Sequence, residues 1–181
     1  MITEKDEYIK KLEAKLVKFE DALISTKKPI TNTTTNNVVI TNNNLDLSRE
    51  RIRNVLENQL TPLIVGKGQA GLAELCANHL LKNENGDLVY KCTDPSRQIF
   101  EYVDHDGVVI KDVKAVKLTN ALSLSGNLEA KTRESAEKLW TDDQGQIDND
   151  KFNFHVNKVM DISNLSTDNT KFRTTLTTLT T

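Results

Sequence analysis

Residues 88–110 read LVYKCTDPSRQIFEYVDHDGVVI, and this stretch decides the fold class. Three runs of apolar, β-branched and aromatic residues, 88–92, 98–103 and 108–110, are separated by turn-forming residues. Asp106-Gly107 is a strong two-residue hairpin signal, because aspartate and glycine tolerate the positive φ that tight turns demand. Asp94-Pro95-Ser96 turns the chain between the first two runs, since proline pre-sets φ and the flanking polar side chains bond back to the backbone. The reading is a short antiparallel meander.

Helical periodicity flanks it on both sides. Ser48 is placed to cap a helix over 49–60 that carries Ile52, Val55, Leu56 and Leu60 on one face, and Pro62 breaks it. A second helix is expected over about 70–82, burying Leu72, Leu75, Cys76 and Leu80, with Asn85-Gly86 turning after it. Downstream, a third helix is expected over about 112–122, with Val113, Val116 and Leu122 as core residues. Residues 46–124 therefore read as one α+β domain, helices packed on a small antiparallel meander. Residues 125–181 read as a helical C-terminal region. One helix spans 128–140, and a second is marked by Phe152, Val156, Val159 and Met160. A last helix, capped by Ser166 or Asp168, carries Phe172, Leu176 and Leu179. Its threonine-rich end is expected to fray, because threonine has low helix propensity. No internal repeat is apparent.

The N-terminal segment 1–28 has a different pattern. Ile9, Leu12, Leu16, Phe19 and Leu23 are spaced 3, 4, 3, 4. With Ile2, they form an a/d seam whose remaining d positions are Lys5 and Thr26, and Lys15 at g faces Glu20 at e of a parallel neighbour. A parallel coiled coil is the expectation; an amphipathic helix packed on its own chain is the alternative. Under four heptads is marginal without help. Residues 29–45 form a Thr/Asn-rich linker after the helix-ending Pro29, with Val38, Val39 and Ile40 at its centre. These three support short strands paired between subunits, a flexible spacer, or asparagine-ladder pairing.

The totals narrow the function classes. The 181 residues carry a net charge of −2, 37% hydrophobic residues and 5% aromatics. That balance gives no overall electrostatic footprint for nucleic acid and allows one modest core. No segment has the ~18 apolar residues that span a bilayer, so no membrane partner is expected. The N-terminus does not read as a secretory signal, and Cys76 and Cys92 do not make a disulfide framework, which points to a reducing, intracellular setting.

Several motifs suggest chemistry. Gly66-Lys67-Gly68-Gln69-Ala70-Gly71 matches G-x-G-x-x-G after the apolar Leu63-Ile64-Val65. A dinucleotide site would need a longer strand before it and a further crossover after it. A glycine-rich loop capping a helix is the reading, with anion contact by Lys67 kept as a weaker claim. Cys76, His79, Cys92 and His105 lack the paired spacing of a zinc site, and neither cysteine shows the surroundings of an activated nucleophile. Asp142-Asp143 and Asp148 with Asp150 read as loop or helix-start residues. The sequence thus leads to no catalytic residue, metal or cofactor. Lys111, Lys114 and Lys117 recur at i, i+3, i+6 along the expected third helix, a row suited to phosphate contacts or simply a solvated face.

GKGQAGLAELCANHLL (66–81), YKCTDPSRQIFEY (90–102), DGVVIKDVKAVKLTNAL (106–122) and DNTKFRTTLTTLT (168–180), behind a coiled coil and a Thr/Asn tract, resemble uncharacterised proteins of large and giant DNA viruses. The resemblance covers most of residues 30–180. Many members of that group carry an N-terminal zinc finger or other DNA-binding module. This sequence shows none ahead of its coiled coil, so that activity does not transfer. The resemblance implies a structural or interaction protein working in the host cytoplasm or the virion. The expected partners are further copies of itself, two to four chains, and another viral protein; nucleic acid is the alternative.

Overall fold

The computed structural model describes residues 44–125 and 127–181. The seam residues Ile2, Ile9, Leu12, Leu16, Phe19 and Leu23, and the tract residues Val38, Val39 and Ile40, lie outside the described residues. Those described form a mixed α+β fold: seven helices, a π-helical turn and one three-stranded antiparallel sheet.

Helix α1 (Arg49–Gln59) starts at Ser48, whose backbone is extended and whose Oγ accepts from Arg51 N at 3.3 Å. That bond satisfies one of the four amides a helix start leaves free. Ile52, Val55 and Leu56 are its buried stripe. The apolar run after Pro62 is helical: α2 (Pro62–Gly66) has proline in its first turn, where no amide is required. Helix α3 (Gln69–Leu75) follows a sharp corner at Gly68, φ 65°, and passes into a π-helical turn, Cys76–Leu80. The second helix thus ends at Leu80.

The meander is present with shifted edges: β1 (Lys91–Asp94), β2 (Ile99–Val103) and β3 (Val109–Val113), in the order β1-β2-β3. Leu88 belongs to a separate bridge with Lys82 and closes the Asn85-Gly86 turn. The β2–β3 register pairs Val103 with Val109, Glu101 with Lys111 and Ile99 with Val113. Cys92, Phe100 and Asp112 occupy the inner face; Val109, Lys111 and Val113 point outward.

Two expected core residues are therefore wrong. Val113 is 52% exposed and Val116 48% exposed. The strand continues through Val113, so α4 (Val116–Leu124) starts four residues later than expected and turns Leu118 and Leu122 inward. Asp112 takes the inward strand position and serves as the helix cap described below.

Helix α5 (Leu128–Trp140) and helix α6 (Asn149–Ser163) form a hairpin, with Thr141 bridged to Ile147 and the Trp140 ring edge-on to Phe152 at 5.1 Å. Asp148 caps α6 by accepting from Asp150 N and Lys151 N, and Ile162 is its fully buried residue; Met160 is exposed. Helix α7 (Thr170–Thr180) begins at Asn169, with Asp168 Oδ1 accepting from Thr170 N. Its threonine-rich end is ordered helix, not frayed. Thr177 and Thr180 hydroxyls donate to the carbonyls of Arg173 and Leu176 one turn back, both at 2.8 Å, and Thr180 is buried. Each hydroxyl satisfies itself within the helix, and burial of Phe172 and Leu176, worth roughly 2–3 kcal/mol each, outweighs the propensity.

Residues before and after 124 share one core. Leu56, Leu72, Phe100, Leu118 and Leu122 pack in the same cluster as Ile162, Phe172 and Leu176.

Candidate functional site

The Gly66–Gly71 loop is a helix-packing device. A Cβ on Gly71 would sit 2.2 Å from Ile64 O and 2.8 Å from Lys67 Cβ, so this glycine lets α3 cross the end of α2 at backbone distance. A Cβ on Gly66 would touch the His155 ring at 3.5 Å, which places α6 over the loop. Lys67 Nζ lies 2.6 Å from Glu74 Oε2 and is thereby occupied. Gln69, which sequence reasoning passed over, is buried and reaches across the fold. Its Nε2 donates to the carbonyls of Asp161 (2.8 Å) and Asp168 (2.5 Å), and its Oε1 accepts from Phe172 N at 3.1 Å. The loop thus fastens the C-terminal helix.

The lysine row breaks up. Lys111 is on β3, its Nζ 3.3 Å from Glu101 Oε1 across the outer sheet face. Lys114 sits in the β3–α4 corner with φ 57°, and Lys117 is in the first turn of α4. The three lysines thus lie on a strand, in a corner and in a helix, and not along the one helical face, suited to phosphate contacts or simply solvated, that their spacing suggested.

At that corner a buried carboxylate organises the chain. Asp112 Oδ2 accepts from Tyr90 Oη (2.9 Å) and Leu118 N (3.0 Å), and Oδ1 accepts from Lys117 N (2.9 Å). A carboxylate at the start of α4 meets both its free amides and its dipole. Tyr90 is fully buried between the rings of Phe100 (5.1 Å) and Tyr102 (5.6 Å). Burial first, then the Asp112 charge, pushes the Tyr90 phenol far above its ordinary value. Burial likewise pushes the Cys76 thiol up, which suits a core thiol and not a nucleophile. Among the described residues, no group of three or more His, Cys, Asp or Glu is arranged to hold a metal ion.

A concavity of about 1230 Å³ opens where the chain enters the domain. Asn44 bridges Val103 in parallel, and Leu45 N donates to Val103 O at 2.7 Å, filling the gap beyond the end of β1. Leu45, Leu80, Tyr102 and Ile110 give the groove apolar lining; Arg51, Lys82 and Lys117 line it together with Asp46, Glu84 and Asp104. Ser48 is spent on its helix cap, and Arg51 donates to His79 O at 3.2 Å, next to the π-helical turn. Burial, then the charges of Asp112 and Asp104, raises the Tyr102 phenol above its ordinary value. These side chains offer mixed charge and apolar contact, the chemistry of a binding surface.

Three loops repeat one recipe that composition concealed. Asn83, Asp104 and Asp142 each accept with a side-chain oxygen from the amides two and four residues on, and each is followed three residues later by glycine. Gly86, Gly107 and Gly145 sit at φ 84°, 77° and 77°. The signal was legible as Asn/Asp-x-Asn/Asp/Gln-Gly at 83, 104 and 142.

No protein-family model, no curated protein and no solved structure matches this chain. Among the described residues, no helix is long and apolar enough to cross a membrane.

Proposed function

We propose that this chain is a homo-oligomeric scaffold or interaction protein of a large DNA virus, acting without catalysis in the host cytoplasm or within the virion. The observation that carries the reading is the 3, 4, 3, 4 seam of Ile9, Leu12, Leu16, Phe19 and Leu23 ahead of a small folded domain. The domain supports it through how its polar residues are spent. Asp112, Gln69, Ser48 and Asp148 all bind backbone amides, Lys67 is ion-paired, and both cysteines are buried. Two to four chains would join through the seam, leaving the mixed-charge groove to a second protein. Nucleic-acid binding, the rival, loses the helical lysine row on which it rested.

Light scattering on the intact chain and on a form lacking residues 1–28 tests the proposal. The intact chain is expected to run as two to four copies and the shortened one as a smaller species. A monomeric intact chain overturns it.

A further inference from the structure

Among the described residues, three non-glycine residues hold left-handed backbone conformations: Gln98 (φ 53°), Lys114 (57°) and Ala115 (54°). They belong to one corner, because Lys114 N donates to Gln98 O at 2.8 Å and Ala115 follows directly at the start of α4. A side chain with a Cβ is strained there, and such residues persist where surrounding structure over-determines them. Part of that hold comes from the far end of the chain. Asn169 Nδ2 donates to Lys114 O at 2.9 Å, while its Oδ1 accepts from Arg173 Nη1 at 2.9 Å within α7. Gln69 grips the same helix start through Asp168 O and Phe172 N.

We propose that α7 is a latch: its docking holds the β3–α4 corner in the left-handed form, and release of α7 and relaxation of the corner are one two-state event. Coupling of this kind is reciprocal. A partner that grips the outer face of β3 or the start of α4 changes the hold on the C-terminal helix, and a partner that draws off α7 reshapes the corner. The inference stands on these contacts alone and holds whether or not the chain oligomerises.

Lys114 is exposed, so its side chain can be changed without disturbing the core. Glycine and asparagine both accept the left-handed conformation more readily than lysine. Native-state hydrogen exchange on the full chain, comparing Lys114→Gly, Lys114→Asn and Asn169→Ala, provides the test. In the parent, the α7 amides are expected to be less protected than those of α1, and both Lys114 variants are expected to slow α7 exchange about fivefold each, because undocking no longer relieves strain. Asn169→Ala is expected to speed exchange in α7 and in the β3–α4 corner together. Unchanged α7 rates in the Lys114 variants, or parent α7 amides no less protected than those of α1, overturns the latch. Should Asn169→Ala fail to fold, the Lys114 pair decides alone.

Discussion

Single atoms at two glycines separate packing from conformational freedom. Gly71 has a right-handed helical backbone but no room, since a Cβ would meet the Ile64 carbonyl at 2.2 Å. Gly86 has open space around it but φ 84°. Gly71→Ala must push two helices apart and is expected to cost about 3 kcal/mol. Gly86→Ala meets nothing and is expected to cost about 1 kcal/mol, the left-handed penalty alone. Urea midpoints of the two variants check this, and equal losses would show that Gly71 is not a packing contact. The G-x-G-x-x-G spacing is visible in the sequence. What decides its meaning, the Ile64 carbonyl seven residues back that a Cβ on Gly71 would meet at 2.2 Å, is not.

At the scale of elements, the legible parts were those whose signals are local. Ser48 and Pro62 bound α1 within one residue of the expected limits, and the Asp106-Gly107 turn is where the hairpin closes. Ser48→Ala is expected to lower stability by about 1 kcal/mol through loss of the Arg51 amide bond, read as a drop in melting temperature. A drop no larger than that of an exposed control such as Asn54→Ala would deny the cap its role. The stretch 109–117 was misread because two periods fit it. Lysines at 111, 114 and 117 suggest a helix; Val109, Lys111 and Val113 alternate as a strand. The strand wins through partners far away in sequence, Ile99, Glu101 and Val103, and through Tyr90, which makes a buried aspartate tolerable. Those long-range partners also split the candidate lysine site. The α7 threonines were misjudged for a similar reason: propensity is local, whereas the burial of Phe172 and Leu176 is not.

For the whole described domain, pH acts from both ends. The Ser96 hydroxyl holds the Asp94 carboxyl below its ordinary value, the Lys151 amide does so for Asp148, and the Thr170 hydroxyl for Asp168. A lowered folded value favours the charged form in the native state. That stability is present above the unfolded value near 4 and is lost as the pH falls through the depressed ones. Tyr90 works oppositely. Its raised value favours the neutral phenol, so its contribution is complete below the ordinary value of 10.0 and drains as the pH climbs past it. Melting temperature is therefore expected to plateau near neutrality and fall on both sides. Tyr90→Phe, though less stable at neutral pH, is expected to show a shallower alkaline limb. An alkaline limb as steep as in the parent would refute the assignment to Tyr90.

The three Asn/Asp-anchored hairpins bear on how this chain can grow. Each closes its own ends through one side chain and a pair of backbone bonds, and a Cβ on Gly86, Gly107 or Gly145 would meet nothing within 4 Å. Exposed loop tips of this kind are where added sequence is best tolerated. The domain thus carries three separate ports at which lineages or engineers can graft new peptide outward while the shared core stays as it is.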